Sequence, residues 1–317
     1  MAAPIGTNEI NSLSRRYILP MLVDNVYNSS PLFFRLNRRN KKQVQGGLHI
    51  EVPLVYQQFA AGGSYSGFDL LDVSPSDTVK NAAFDWKQYY VPISIDGLTR
   101  IRMNSPEAVL NALTFMFEQA QVQMVENLSQ GIWSTSTGTG SVDGIQAAID
   151  NGAVAATYGG LPRSTNPFWN AQVAAATAPL SLSQIQNIYG LCTDGGRHPT
   201  IILNDQAVYN IYWNLLSQSQ AFPVQPQGMD EQLAQAGFTN LLFNGVPMVV
   251  DSHAPAGDMF FLNEDYMTLV VASQADFRMN DFREPVNQDA MVSLLLWAGN
   301  MVFYNVQRQG KLTGITG

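Results

Sequence analysis

The sequence contains little cysteine, little charge and no long hydrophobic run. Its single cysteine, Cys192, excludes a disulfide within the chain and a metal site built from several thiolates. The longest apolar stretches, such as Leu269–Ala272 and Leu294–Ala298, are far too short to cross a bilayer. The first residues lack a basic segment followed by an apolar one, so no signal peptide is predicted and folding in a cytoplasm is expected.

The shortage of charge points to contacts between subunits. Charged residues make up 13% of the chain, whereas about 25% is typical of a globular protein. Hydrophobic residues make up 46%, which is enough for an ordinary core. Asn, Gln, Ser and Thr replace the missing charge, and such a surface suits large interfaces because each buried charge would need a partner. A neutral secreted or β-rich protein is the alternative.

The net charge of −8 is unevenly distributed along the chain. Residues 1–45 carry seven basic and two acidic side chains, while the remainder carries ten basic and 23 acidic ones. A basic segment before an acidic body can bind nucleic acid or the acidic surface of a neighbour. Aromatic stacking partners across a sheet are lacking, so sequence-specific recognition of nucleic acid is not expected. The dense basic cluster, predicted to lie between subunits, consists of Arg35, Arg38, Arg39, Lys41 and Lys42.

No residue pattern is typical of a cofactor, metal or catalytic site. The three histidines are scattered and lack the spacing of metal ligands. The run Asp251-Ser252-His253 invites a hydrolase interpretation, but a catalytic triad is assembled in space and the Gly-x-Ser-x-Gly elbow is missing. A polar turn after a strand is the favoured interpretation, and a hydrolase with a site within residues 190–265 is the alternative. The glycine-rich residues 62–67 lack the Gly-Lys-Ser/Thr motif of a phosphate loop.

Two segments, 48–55 and 89–96, alternate apolar and polar residues as strands with one covered face do. The connection between them, roughly residues 57–83, is rich in Gly, Ser, Asp and Ala. Compact domains seldom contain unstructured loops longer than about 15 residues. We therefore predict a hairpin arm that leaves the body of its own subunit and lies on a neighbouring molecule. The predicted contact residues are Tyr65, Phe68, Leu70 and Leu71.

Residues 105–132 have the clearest helical pattern. Ser105 suits the N-cap, Pro106 the first turn and Glu107 the positive end of the helix dipole. About 27 residues at about 1.5 Å each form a rod of roughly 40 Å. Gln121 and Gln123 are predicted to face outward. The predicted apolar face consists of Val109, Leu113, Met116, Phe117, Ala120, Met124, Leu128 and Ile132.

The other predicted elements form an arm, an α/β unit and a final pair of strands. A short helix within 18–26 is expected to end at Ser30-Pro31. Residues 290–306 are interpreted as two buried strands divided by Gly299 and Asn300. The α/β unit is predicted to contain helices at 181–192 and 205–216 and strands at 200–203, 246–250 and 260–262.

Four short motifs accompany this order of elements. They are GIQAAI at 144–149, TYGGLPR at 157–163 with Trp169 following, PTIILN at 199–204, and NGVPMVVD at 244–251. Each is weakly specific alone, but together and in this order the chain resembles the major capsid proteins of tailed bacteriophages, which share the Hong Kong 97-type fold. The resemblance covers nearly the whole chain.

The resemblance implies an α+β protein with a Hong Kong 97-like capsid fold. Its parts are an N-terminal arm, an extended β-hairpin loop over an adjacent subunit, a long spine helix with a β-sheet, and a peripheral α/β domain. The implied bounds are 1–46 for the arm, 47–98 for the extended loop, 99–140 for the spine domain with its long helix, 141–275 for the peripheral domain, and 276–317 for the return to the spine domain with a C-terminal tail.

The implied function is structural rather than enzymatic. Subunits would assemble as hexamers and pentamers into an icosahedral shell around double-stranded DNA, forming a virion in the host cytoplasm. The implied partners are a portal, a decoration protein and non-specifically bound DNA, with no membrane and no cofactor. Because about 46 residues precede the loop, we expect a separate scaffolding protein. The outer part of the predicted arm, residues 60–78, contains no lysine, so covalent crosslinking between subunits is not expected. A nanocompartment shell of the encapsulin type is the alternative with the same fold.

Overall fold

The computed structural model describes most of the chain in two large sheets with helices packed against them. The described residues are 30–59, 62–71, 74, 76–98, 106–137, 140–176, 179–218 and 241–316. The helices are α1 (Pro31–Arg39), α2 (Pro106–Ile132), α3 (Ile145–Ala148), α4 (Leu182–Cys192) and α5 (Gln206–Gln218). Short 3-10 turns lie at Pro167–Trp169, Glu264–Tyr266 and Val306–Arg308.

Fifteen strands are found within the described residues, and their bounds follow in chain order. They are β1 (Lys41–Val44), β2 (Ile50–Val55), β3 (Val79–Phe84), β4 (Lys87–Asp96), β5 (Thr157–Tyr158), β6 (Leu161–Pro162), β7 (Gln172–Ala175), β8 (Ile201–Asn204), β9 (Leu241–Phe243), β10 (Val246–Val250), β11 (Met259–Leu262), β12 (Met267–Ala272), β13 (Arg278–Met279), β14 (Ala290–Phe303) and β15 (Gly310–Thr313).

The first sheet is built around β14. β4 pairs antiparallel with β14 over its first ten residues, while β12 pairs with its last five and β13 with Leu295 and Leu296. β1 adds a parallel edge strand beside β12. The prediction of two strands divided at Gly299 and Asn300 is therefore wrong. A Cβ at residue 299 would lie 2.5 Å from the Val270 carbonyl oxygen, so glycine lets the strand continue beside β12.

The long helix is confirmed as α2, with Pro106 as its first residue; Ser105 lies outside the described residues. The predicted apolar side chains from Leu113 onward are buried, except for the half-buried Met116, and no side chain is described for Val109. Gln123 is exposed as predicted, but Gln121 is buried, which corrects its outward assignment. The reason is a second buried row at four-residue spacing, formed by Gln121, Val125 and Ser129.

The hairpin exists, but with a different second strand. β2 pairs antiparallel with β3, with Ile50 opposite Phe84 and Val55 opposite Val79. The predicted partner, residues 89–96, belongs to β4 in the first sheet. The interpretation of 57–83 as unstructured is therefore wrong for its last residues. The segment VKNAAF buries only Ala82 and Phe84, which is too little apolar alternation to show a strand in the sequence.

The described chain begins with an arm segment that is integrated into the body. Ser30-Pro31 begins the helix α1, with proline in its first turn. The helix buries Leu32, Phe33 and Leu36, and β1 follows in the first sheet. The predicted helix within 18–26 lies outside the described residues.

The second sheet has the strand order β7-β15-β11-β8-β10-β9. The predicted helices correspond to α4 and α5, and the predicted strands to β8, β10 and β11, with bounds within two residues. Ser181 caps α4 in a capping box with Gln184. Asn244-Gly245 forms the predicted turn, which joins β9 to β10.

The predicted domain division stays a prediction, but two strands bear on it. β12 lies within 141–275, yet it pairs with β14 in the first sheet. β15 lies within 276–317, yet it pairs with β7 and β11 in the second. A division by sheets would place β12 with the spine domain and β15 with the peripheral domain.

Candidate assembly surface

The base of the extended loop, β2 and β3, is seated on its own subunit. Phe84 makes an edge-to-face contact with Tyr158, with 5.2 Å between ring centroids. The Ala83 amide donates to the Gly159 carbonyl at 2.9 Å. Gly159 has a φ of 55°, and a Cβ there would lie 2.7 Å from Phe84 Cζ. The turn between β5 and β6 thus fixes how the loop leaves the body.

Residues 56, 57, 77 and 80 contribute further contacts near the outer end of β2 and β3. Tyr56 stacks on Phe168 with 5.2 Å between ring centroids. Lys80 places its Nζ 4.8 Å from the Tyr56 ring centroid and donates to Asn166 Oδ1 at 2.7 Å. The Asp77 carbonyl accepts hydrogen bonds from both the Tyr56 hydroxyl and the Gln57 amide, which closes the two strands of the loop.

Beyond this point apolar side chains project into solvent. We call residues 57–71 the loop tip. Within it, the Ser66 amide donates to Asp69 Oδ2 at 2.7 Å and the Asp69 amide donates to the Ser66 carbonyl at 2.8 Å, which forms a turn. Asp69 is its only charged side chain. The exposed apolar side chains are Phe59 (75%), Tyr65 (68%), Phe68 (105%), Leu70 (101%) and Leu71 (60%).

This surface contains all four residues predicted from the sequence as loop contacts, and their role between subunits stays a prediction. Phe59 was missed, as were the exposed Leu48 and Val55. Leu48 precedes β2 and Val55 is its last residue, and the sequence could not show which way these end positions face. Five exposed apolar side chains on one loop favour an interaction surface, because soluble monomers seldom expose so many together.

The basic cluster divides into buried and exposed members. Arg35 donates to both carboxylate oxygens of Glu264, from Nε at 2.7 Å and from Nη2 at 2.6 Å, and both side chains are buried. Arg39 lies 3.4 Å from the same carboxylate. Burial alone would raise the pKa of Glu264, but the hydrogen bonds and charge of Arg35, with a Thr200 hydrogen bond, hold that pKa below its ordinary value.

The other three basic side chains face outward to different degrees. Lys41 forms an ion pair with Asp276 at 2.6 Å. Arg38 and Lys42 are exposed, and neither pairs with an acidic side chain of the described residues. They are therefore the members of the cluster that remain available to a partner, while Arg35, Arg39 and Lys41 are engaged within the chain.

The run Asp251-Ser252-His253 lies in a turn that contacts α2. His253 Nε2 is 2.8 Å from Glu126 Oε1, and its Nδ1 is 3.3 Å from Ser252 Oγ. Buried Asp251 is 3.6 Å from that same Nδ1. In a triad the serine hydroxyl contacts Nε2 and the carboxylate contacts Nδ1. Here Ser252 contacts Nδ1 and the carboxylate at Nε2 is that of Glu126, the reverse arrangement, so this geometry favours the predicted polar turn. The His253 hydrogen bond also lowers the pKa of Glu126.

Neither metal ligation nor a membrane segment is indicated by the described residues. Within them, three or more His, Cys, Asp or Glu side chains are nowhere grouped as metal ligands. None of the helices in this part of the chain combines the length and apolar character that spanning a membrane requires.

Neither a protein-family model nor a curated protein matches this sequence. Solved structures match it over nearly the whole chain. The Cyanophage A-1(L) capsid has a TM-score of 0.65 and 16% identity, covering 93% of this chain and 95% of that one. A Mycobacterium phage Bobi structure has a TM-score of 0.56 and 12% identity, covering 99% and 100%. The SrpI encapsulin of Synechococcus elongatus PCC 7942 has a TM-score of 0.57 and 11% identity, covering 90% and 88%.

The fold is therefore that of the phage capsid proteins, which confirms the predicted α+β, Hong Kong 97-like fold class. The encapsulin shares this fold as well, with a lower TM-score than the cyanophage capsid. The assignment of α2 with the first sheet to the spine, and of β2 with β3 to the extended loop, stays a prediction.

Proposed function

We propose that this protein is the major capsid protein of a tailed bacteriophage, a structural subunit that self-assembles into an icosahedral shell around double-stranded DNA. The observation that carries the proposal is the loop tip, whose apolar side chains are exposed on a loop whose base, β2 and β3, is seated on its own subunit. The phage capsid structures that share the fold support it.

The tip offers a physical mechanism for assembly. Burying one large apolar side chain contributes about 1.5–3 kcal/mol. Five such side chains per subunit, less the cost of ordering the loop, give a modest contact that symmetry repeats around every hexamer and pentamer. Low charge in the tip reduces the cost of removing it from water.

The finer points of the proposal concern partners and place. A separate scaffolding protein, a portal and a decoration protein would act with the subunit, and the shell would assemble in the host cytoplasm and become part of the virion. The interior would hold DNA without reading its sequence. The domain division given above, with β12 and β15 assigned by their sheets, would apply to the assembled subunit.

The experiment replaces the apolar tip side chains. We expect the triple variant Phe68→Ser, Leu70→Ser, Leu71→Ser to yield folded subunits that no longer close shells, because these side chains are exposed in the subunit. The conservative triple variant Phe68→Leu, Leu70→Met, Leu71→Met is the matched control and should still assemble. Size-exclusion chromatography and negative-stain electron microscopy measure assembly, and denaturant unfolding of unassembled subunits measures the fold.

The outcomes separate the candidate functions. Shells formed equally well by the serine variant would contradict the role of the tip. Particles that contain double-stranded DNA support a capsid, whereas particles that contain a cargo enzyme support the encapsulin-type alternative. A monomer that never assembles would leave the hydrolase with a site within 190–265 as the alternative to pursue.

A further inference from the structure

The side of α2 that faces away from the body exposes two large apolar side chains. Phe115 is 62% exposed and Val122 is 60% exposed. They lie seven residues apart on the same side of the helix, and Glu118 and Glu126 continue this side at spacings of three and four residues. We call these four residues the outer stripe. Apolar side chains grouped on one exposed helix face favour a surface that binds something.

The charge of the outer stripe is acidic. Glu118 is exposed and forms no ion pair with a side chain of the described residues. Glu126 Oε1 lies 2.8 Å from His253 Nε2, and the glutamate side chain remains 39% exposed. A ligand that complements this surface would present apolar side chains to Phe115 and Val122 and a basic group to Glu118.

The described chain begins beside one end of the outer stripe. Ser30 Oγ donates to Asp251 Oδ2 at 2.9 Å, and the His253 amide donates to Asp251 Oδ1 at 3.0 Å. The ring of the same histidine contacts Glu126. Ser30 and Asp251 are buried, so their positions are fixed. Three successive contacts thus connect Ser30 to the Glu126 end of the stripe, and the residues that precede Ser30 enter from that end.

The length of the preceding segment matches the length of the stripe. Phe115 and Glu126 are eleven positions apart, which corresponds to roughly 16 Å along α2. The sequence predicts a helix within 18–26, and nine helical residues would span about 13 Å. Asp24 falls on the opposite side of this predicted helix from its apolar residues. The apolar residues are Ile18, Met21, Leu22 and Val26.

We propose that residues 15–26 bind along the outer stripe of their own chain. Their apolar residues would cover Phe115 and Val122. Because Ser30 lies at the Glu126 end, the segment would run in the same direction as α2. This direction follows from the position of Ser30 alone, yet it brings Arg15 and Arg16 to the end of the stripe that contains Glu118. Entry point, length and charge therefore agree on the same occupant.

A disulfide between two introduced cysteines tests the placement. In the proposed arrangement Leu22 lies nearest Val122, so the full-length variant Leu22→Cys, Val122→Cys should form a disulfide within one chain when unassembled subunits are oxidised. Burial raises the pKa of the native Cys192 to about 12, so its thiol should not compete. The control variant Leu22→Cys, Thr135→Cys places the second cysteine at an exposed position beyond the other end of α2 and should stay reduced.

Non-reducing electrophoresis and peptide mass spectrometry distinguish the outcomes. A disulfide in the Val122→Cys variant but not in the Thr135→Cys variant, found in the monomer band, supports the proposal. A disulfide found only in a dimer band would overturn the assignment to the same chain, because the segment would then bind a second copy. Equal disulfide formation in both variants, or in neither, would overturn the placement on the stripe.

Trypsin cleavage after Arg15 and Arg16 measures the same contact without new cysteines. The variant Phe115→Ser, Val122→Ser should raise the cleavage rate by about tenfold, because a bound segment is cleaved only when it detaches. The control variant Leu191→Ser, Val286→Ser replaces two exposed apolar side chains elsewhere and should leave the rate unchanged. All four side chains are exposed, and denaturant unfolding checks that each variant is folded. Equal cleavage rates in the wild type and the Phe115 and Val122 variant would overturn the proposal.

The charge contact has a variant of its own. Glu118→Gln should raise the cleavage rate by roughly two- to fivefold, the range expected for loss of an exposed ion pair. Raised salt should speed cleavage in the wild type more than in Glu118→Gln, since the screened interaction is already missing from the variant. An unchanged rate in Glu118→Gln would overturn the pairing of the arginines with Glu118. These measurements use unassembled subunits, so their outcome does not depend on whether the protein forms a capsid.

Discussion

The ion pair of Arg35 and Glu264 connects the first described helix to the body. Arg35 lies on α1, and Glu264 begins the 3-10 turn before β12, the strand beside which β1 runs. Both side chains are buried, and the guanidinium binds both carboxylate oxygens. Loss of either partner would leave a buried charge without compensation, which is far more costly than loss of an exposed pair.

Arg35→Gln should therefore destabilise the subunit by about 3–5 kcal/mol, the usual cost of breaking a buried ion pair. Denaturant unfolding of unassembled subunits measures this difference. Arg38→Gln, three residues along the same helix and exposed, is the control and should change stability by less than about 0.5 kcal/mol. If the two substitutions changed the free energy of unfolding equally, the contact between Arg35 and Glu264 would contribute little to stability.

The difference in unfolding free energy between wild type and Arg35→Gln should depend on pH. The folded state holds the pKa of Glu264 below its ordinary value of 4.5, so the pair stabilises the fold above that pH. The stabilisation is lost as the pH falls through the folded pKa. The difference in free energy of unfolding between wild type and Arg35→Gln should accordingly become smaller below about pH 4.5.

At the scale of elements, the packing of the loop base, β2 and β3, against the body depends on a glycine. Gly159 and Gly160 form the turn between β5 and β6 with φ values of 55° and 74°. Only at Gly159 would an added Cβ clash with the loop, since it would lie 2.7 Å from Phe84 Cζ and 3.1 Å from Ala82 Cβ, whereas at Gly160 the nearest atom, the Ala83 carbonyl oxygen, is 4.0 Å away. An alanine would therefore be strained by the positive φ at either position, but only at Gly159 would its Cβ also clash with Phe84 and Ala82.

Gly159→Ala should loosen the loop base, while Gly160→Ala should report only the strain of the turn. We expect the difference between the two to be about 1–3 kcal/mol, the usual cost of overpacking a core contact. Hydrogen exchange of amides in β2 and β3 is the measurement, with faster exchange expected in Gly159→Ala. Equal exchange in the two variants would mean that the loop does not rest on this turn.

The elements differ in how far their sequences determine them. α2 was predictable because Pro106 marks its start and apolar residues recur on one face over its whole length. β3 was not, because Ala82 and Phe84 acquire their burial only against Tyr158 and Gly159. Likewise, the polar Asn300 reads as a break in a strand, and only its contacts with Asp143 and Asp85 explain why it is tolerated in β14. Pairings between distant segments are properties of the fold, and no local pattern contains them.

The candidate assembly surface could be predicted only where a local sequence pattern reveals it. Phe68, Leu70 and Leu71 stand out because the surrounding segment offers no core to bury them. The basic residues carry no such signal. Whether an arginine pairs internally, as Arg35 does, or faces solvent, as Arg38 does, depends on a glutamate more than 200 residues away.

At the scale of the whole molecule, the exposed basic residues Arg38 and Lys42 lead to a separate prediction. The variant Arg38→Gln, Lys42→Gln should lower particle yield or DNA content without changing subunit stability, because neither side chain pairs with an acidic group of the described residues. Raised salt should imitate the defect, since exposed charges are screened beyond about 8–10 Å at moderate ionic strength.

The control replaces two exposed arginines elsewhere in the first sheet and beside it, Arg278→Gln with Arg283→Gln. Particle counts by electron microscopy and the nucleic-acid absorbance of purified particles are the measurements. Unchanged yield and DNA content in the Arg38 and Lys42 variant would show that these charges are only solvated surface.

The position of β15 has a consequence for the order of synthesis. This strand lies between β7 and β11, and β14 lies at the centre of the other sheet. A ribosome-bound chain that has not yet released residues 290–313 therefore has neither sheet complete, however much of its N-terminal half has emerged. Folding of the two halves must finish almost together and after translation of these strands. Until then a partial chain exposes unpaired edges of both sheets, and such edges favour aggregation, so rapid completion of these last strands would protect the subunit during synthesis.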